Sequence, residues 1–271
     1  SLQAQMLVRL FPAKNHRISR VVACPLGLIA ASSLDDEENY LTEAWDKNTG
    51  ERLFQVQGVL ASNNWPVSDR LAVLQVDQQG RTKLISWDFN TKQITEVTHL
   101  EFDFKLYETS DLSPDFRLLA MTLADGTTQV FNRQSGKRLL SIGKSGDLPG
   151  RLIAFSRDSK YLLTNLDRET QLWDLESSRK ILTLVSSPYG AAAGSFNPRD
   201  FTLAVAVDSG VEILDWKTGK SLDLLNGIKG ATRSVEYSLD GEIVAGGGND
   251  SQVILWDASS GKELRKLSGH A

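Results

Sequence analysis

The sequence predicts an all-β protein assembled from repeated four-stranded units, and three observations carry that prediction. The stretch ILWDASSGKEL near the end recurs upstream as EAWDKNTGERL, ISWDFNTKQI, QVFNRQSGKRL, QLWDLESSRKI and EILDWKTGKSL. The first position of each core falls at Trp45, Trp87, Phe131, Trp173, Leu214 and Trp256, with spacings of 42, 44, 42, 41 and 42 residues. A period this regular marks a repeat architecture. Between the cores lie short alternating apolar runs bounded by turn residues, the pattern of strands rather than helices.

Each unit resolves into the same elements. A turn precedes the second strand, as in LSPDFRLLAMT, FSRDSKYLLTN, FNPRDFTLAVA and YSLDGEIVAGG. A second turn follows near Asp125-Gly126, Asp167-Arg168, Asp208-Ser209 or Asn249-Asp250, and then the strand that ends at the aromatic core. Asp or Asn after the aromatic can accept backbone N–H bonds and start the next turn. Glycine four residues on, at Gly50, Gly136, Gly219 and Gly261, supplies the positive φ of a hairpin with a bulge. Units two and four carry Lys92 and Ser178 there instead, which predicts strained or less regular turns. A fourth strand, such as RLLSI or ELRKL, closes each unit. Trp65 aligns with Phe155, Phe196 and Tyr237 on the first strands, and Trp216, inside a turn, is expected to be exposed.

These motifs resemble the WD40-repeat β-propeller family, in degenerate form. The resemblance rests on Trp45-Asp46, Trp87-Asp88, Trp173-Asp174 and Trp256-Asp257, supported by Ser113-Pro114-Asp115 and Gly269-His270, and it covers nearly the whole chain. It implies six four-stranded blades arranged radially with the first strand of each innermost. In that family His, Ser or Thr, Asp and Trp form a hydrogen-bonded tetrad. Phe131-Asn132 and Leu214-Asp215 depart from the motif and most units lack the Gly-His pair, so packing between blades is expected to carry more of the stability.

The whole chain, residues 1–271, reads as one domain. Residues 262–267 form the last fourth strand and Ser268-Gly269-His270 begin a further unit, while residues 5–11 read as an orphan fourth strand. The expectation is therefore a six-unit piece of a seven-bladed or longer array, with a closed six-bladed ring as the alternative.

Composition restricts function. The chain is 41% hydrophobic and 24% charged, with a net charge of −4, and no basic excess points to nucleic acid or anionic membranes. The single cysteine, Cys24, cannot form an internal disulfide, and no apolar run is long enough for a membrane helix. A cytoplasmic location is expected.

No catalytic, cofactor-binding or metal-binding residue is predicted. His16, His99 and His270 stand in the same repeat position, between a fourth strand and the next first strand, about one or more blades apart, and cannot easily converge. Ile142-Gly143-Lys144-Ser145 imitates the end of a phosphate loop, but Arg138 stands where that loop needs its first glycine and no helix follows. Gly246-Gly247-Gly248 fits close packing near a turn. Two insertions are candidate partner-binding loops: the acidic run Asp35, Asp36, Glu37 and Glu38, and the aromatic entry to unit three with Phe102, Phe104 and Tyr107. Trp216 joins them as a further candidate. The bland alternative is a solvated loop beside a strand whose Phe102 and Phe104 face the core.

The resemblance implies a non-enzymatic interaction scaffold or sensor module with a protein or peptide partner, of the kind often joined to an effector domain in a longer chain. Two alternatives stay open. A quinoprotein-like propeller shares the D-x-x-T-G-K turn but lacks docking tryptophans at Phe54, Leu140, Leu224 and Arg265. A propeller hydrolase or lyase would need convergent acids or histidines on first strands such as RLIAFS, GAAAGSF and RSVEYS.

Overall fold

A computed structural model of the chain describes residues 17–24, 27–34, 39–62, 70–77, 79, 81–100, 107–143, 149–166, 168–186, 193–208 and 210–268. Every regular element among them is a β-strand, and the strands form six four-stranded antiparallel blades. The chain divides into two compact units, residues 1–104 and 105–271.

The first unit holds two blades. Blade one is β1 (Arg17–Cys24), β2 (Leu28–Leu34), β3 (Tyr40–Asp46) and β4 (Arg52–Gln57). Blade two is β5 (Val59–Leu60), β6 (Arg70–Val76), β7 (Thr82–Asp88) and β8 (Gln93–His99). Ala30, Ala44, Phe54, Leu60, Val73 and Trp87 make their shared core, in which Phe54 and Trp87 stack at 4.7 Å. β5 pairs Val59 with Leu74 and Leu60 with Val73. Counting on from that register sets Ser62 opposite Leu71, so the inner-strand place expected for Trp65 is taken three residues earlier. Trp65 itself lies outside the described residues.

The second unit holds four blades. Blade three is β9 (Tyr107–Leu112), β10 (Leu118–Leu123), β11 (Thr128–Asn132) and β12 (Arg138–Ile142). Blade four is β13 (Pro149–Phe155), β14 (Tyr161–Leu166), β15 (Glu169–Asp174) and β16 (Arg179–Ser186). Blade five is β17 (Gly194–Phe196), β18 (Thr202–Val207), β19 (Gly210–Asp215) and β20 (Lys220–Asn226). Blade six is β21 (Thr232–Tyr237), β22 (Ile243–Gly248), β23 (Gln252–Asp257) and β24 (Glu263–Ser268). Second strands such as β10 and β18 are buried almost throughout, whereas the fourth strand β24 is exposed throughout. Successive blades share apolar layers, so each core lies between two sheets rather than inside one.

The turn after the aromatic position is built alike in all six blades. In each, the pairing between third and fourth strands shifts by one residue immediately before Trp45, Trp87, Phe131, Trp173, Leu214 or Trp256. The following Asp or Asn turns its Oδ1 back onto the turn. Asp46 accepts the N–H groups of Asn48 and Thr49 at 2.7 and 2.9 Å, and Asp257 accepts those of Ser259 and Ser260 at 3.1 and 2.8 Å. Hydroxyl and amide donors together hold the Asp257 carboxyl down at about 2. Lys92 and Ser178 adopt φ of 56° each, close to the 69° of Gly136. Those turns therefore keep the common shape rather than becoming irregular, and the strain expected of a side chain in the left-handed region is present.

Gly246 is also explained. A Cβ there would lie 2.8 Å from Cζ3 of Trp256, and at Gly248 it would meet Ile228 Cγ2. Both glycines let neighbouring side chains close onto β22.

Candidate partner-binding site

The sequence candidates distribute unevenly. Asp35, Asp36, Glu37, Glu38, Phe102 and Phe104 lie outside the described residues, as does the side chain of Tyr107, whose backbone opens β9. His16, His270, Lys144 and Ser145 also lie outside them. His99 is the last residue of β8, paired with Lys83, and its side chain is exposed.

Trp216 corrects its sequence-based expectation: it is buried, with 8% of its surface exposed. It follows Asp215 in the β19–β20 turn, and its indole is gathered into a ring cluster. Tyr161 of blade four lies 4.9 Å away between centroids, Phe201 5.6 Å and Phe196 5.9 Å. The reason is positional. The residue after the turn Asp leans over the preceding first-to-second-strand turn. Phe89 is buried at the same repeat position in blade two, and in blade three the Arg133 guanidinium lies 4.8 Å over the Phe116 ring. Apolar Phe89, Leu175 and Trp216 at one repeat position were the signal that could have foretold it.

Above Trp216 lies a groove of about 360 Å³ between blades four and five. Its walls are the turns Ser156–Tyr161 and Phe196–Phe201, and its end is Lys217. The turns are stiffened internally. Ser156 donates to Asp158 Oδ1 at 2.6 Å and accepts from the Tyr161 N–H at 2.9 Å, while Asp200 Oδ1 accepts the N–H and hydroxyl of Thr202 at 2.8 and 2.6 Å. Across the blade junction, Arg157 Nη1 donates to the Pro198 carbonyl at 2.9 Å. Phe201 is half exposed, and the Lys217 ammonium sits 3.3 Å from its ring centroid. This end of blades four and five is opposite their own second-to-third-strand turns. Its components come from turns one repeat apart, so a scan for contiguous loops passes over them.

A second polar set occupies the first strands of the same unit. Asp111, Ala154, Ser195 and Glu236 share one repeat position, each just before Leu112, Phe155, Phe196 or Tyr237. Asp111 Oδ2 accepts the Phe155 N–H at 3.4 Å, and Ser195 Oγ accepts the Tyr237 N–H at 3.1 Å while donating to Glu236 Oε1 at 2.9 Å. Glu236 keeps contact with water yet is crowded by protein over most of its surroundings. That desolvation, opposed by the Ser195 bond and reinforced by the Asp111 charge, pushes its carboxyl up to about 7. These acids stand on strands read in sequence as apolar or small, and no such cluster was expected there. The Ser195 hydroxyl is engaged on both sides. Among the described residues no group of three His, Cys, Asp or Glu is placed to hold a metal ion.

No family model matches the chain. Curated relatives do. The chain is 26% identical over 129 residues to a serine-threonine kinase receptor-associated protein of Dictyostelium discoideum, covering 47% of this chain and 43% of that protein. It is 27% identical over 160 residues to WD repeat-containing protein 1 of Xenopus tropicalis, covering 55% and 26%. It is 34% identical over 110 residues to GID complex subunit 7 of Schizosaccharomyces pombe, covering 38% and 22%. A relative named for its WD repeats and six blades with a common bulge at the Trp-Asp position agree. Its six blades are of the WD40 type. The matched stretches span less than half the length of these three relatives.

Trp173 Nε1 donates to Gln171 Oε1 at 3.2 Å, two residues back on its own strand, and Trp256 Nε1 donates to the Asn226 carbonyl at 3.3 Å, in blade five. Blades three and four are also joined by hydroxyls. Thr122, Thr128 and Thr164 form a buried run at 2.9 and 3.2 Å across blades three and four. Each such buried bond contributes about 1 kcal/mol net.

Proposed function

We propose that this WD40 chain is a non-catalytic protein–protein interaction module, serving as a scaffold or sensor within a larger, cytoplasmic, multidomain protein. The observation that supports it most is the groove above Trp216, where rigid turns hold an exposed ring among cations. Function belongs to sites rather than folds, and the groove is a site suited to holding a partner rather than to chemistry. The names of two relatives point the same way, one calling its protein receptor-associated and the other a complex subunit. Ser195, a first-strand hydroxyl beside a carboxylate, accepts a backbone N–H and donates to Glu236, so it serves as a link between strands.

The loops Asp35–Glu38 and Phe102–Tyr107 form a second contact region in this reading, with the acidic run taking a basic peptide. Affinity capture with the intact parent protein tests it. Reversing Asp35, Asp36, Glu37 and Glu38 to Lys is expected to remove at least one partner while the melting temperature stays unchanged. An identical partner set, together with substrate turnover by the purified protein in hydrolase screens, would overturn the reading.

A further inference from the structure

We propose that the groove between blades four and five binds an acidic linear peptide, with one large apolar side chain laid against Phe201 and flanking carboxylates held by Arg157, Arg199 and Lys217. This rests on the interaction-module reading and names its partner class.

The argument begins with charge. The groove is lined by three cations, Arg157, Arg199 and Lys217, and by two acids, Asp158 and Asp200. The chain as a whole carries −4, so this local positive surface runs against its composition. Each acid already accepts two hydrogen bonds through Oδ1 within its own turn. The cations are less committed. Arg157 directs Nη1 to the Pro198 carbonyl, and a guanidinium has five N–H donors. Arg199 reaches Glu242 at 3.1 Å with both side chains more than half exposed. Such a solvated pair adds little stability, so an incoming carboxylate can replace Glu242 at small cost.

The apolar anchor is the second element. Phe201 is 51% exposed although its ring rests on buried Trp216, and Lys217 covers only part of it. Covering the remainder with a partner side chain removes apolar surface from water at about 25 cal/mol per Å². The volume of about 360 Å³ falls within the roughly 300–1,000 Å³ of ligand clefts. The walls are fixed by their own hydrogen bonds, so binding does not first have to order them.

The neighbouring groove gives the contrast. Between blades five and six, a space of about 390 Å³ is lined by Asp200, Glu242 and Asp257 with Arg199 as its one cation. Equivalent turns one blade apart thus carry opposite polarity, and an acidic peptide is directed to the first groove and repelled from the second.

The test is fluorescence anisotropy on the whole chain with a fluorescein-labelled peptide, Asp-Glu-Phe-Glu-Asp. The Phe-to-Ala version and a Lys/Arg version serve as comparisons. The acidic Phe peptide is expected to bind, more weakly as salt rises. Arg157→Glu, Lys217→Glu and Phe201→Ala are each expected to raise Kd about tenfold or more. Arg265→Glu, on the outer strand β24, should leave Kd unchanged. All four positions are exposed, so circular dichroism should match the wild type, and only Phe201→Ala, whose ring rests on Trp216, should melt somewhat lower. No binding at millimolar peptide, equal binding of the basic peptide, or groove variants that bind like wild type would each overturn the proposal. If the peptide fails while the parent protein still captures partners, the groove assignment falls and the interaction-module reading stands.

Discussion

The indole of Trp216 in blade five lies 4.9 Å from the ring of Tyr161 in blade four, and no protein acceptor meets its Nε1 among the described residues. The side chain acts as an apolar wedge between two sheets, packed with Leu152, Leu163 and Leu203. Trp216→Ala should cost about 3–5 kcal/mol, the range for emptying an aromatic site. Trp216→Phe loses volume but no hydrogen bond and should cost about 1–2 kcal/mol. Urea unfolding of the two variants checks the order.

Lys92 and Ser178 hold φ values that cost a side chain of order 1–3 kcal/mol. Replacing either with Gly relieves that strain and adds back some unfolded-chain entropy. The expected net gain is about 0.5–1 kcal/mol for each, read as a raised urea midpoint at constant slope. The mirror experiment, Gly136→Ala, should destabilise.

Glu236 makes stability depend on pH. Its folded-state carboxyl titrates at about 7 rather than 4.5, so between those values the folded chain holds a proton that the unfolded chain has released. Stability from this group is therefore fully present below about 4.5 and lost as pH rises through about 7. Glu236→Gln should flatten that decline and raise the melting temperature at pH 8. An unchanged pH profile in the variant would place the burden on other groups.

At Gly246 an added methyl meets the Trp256 ring, whereas at Gly247 the nearest atom is 3.7 Å away. Gly246→Ala should lose about 1–3 kcal/mol from overpacking, and Gly247→Ala should stay within about 0.5 kcal/mol of wild type. Thermal melts of the pair compare one strand position with the next.

The blades were legible because their signals are local and repeated. Asp46, Asp88, Asp174, Asp215 and Asp257 each sit one residue past the core position, and one turn geometry explains all of them. Glycine proved to be only one way to build that turn, since the bulge imposes the same φ on Lys92 and Ser178. What the sequence did not reveal depends on neighbours one period away. Trp216 looked exposed because it was compared with its own turn, not with Tyr161 and Phe201 across it. Arg157 and Arg199 belong to turns one repeat apart, so nothing contiguous in the sequence marks them as a pair. Glu236 looked isolated in RSVEYS because the residues that perturb it, Ser195 and Asp111, stand on other strands.

The shared first-strand position has one further effect. Asp111 ties blade three to blade four, and Ser195 ties blade five to blade six, but Ala154 has no polar side-chain atom with which to tie blade four to blade five. In that respect the second unit is a pair of doublets, and the joint between them rests on the Trp216 rings, the leucines beneath and the exposed bond from Arg157 to the Pro198 carbonyl. Apolar contact weakens on cooling while hydrogen bonds do not share that temperature dependence. Cold should therefore loosen this joint first, parting the unit into two halves of two blades each before either half loses its own sheets.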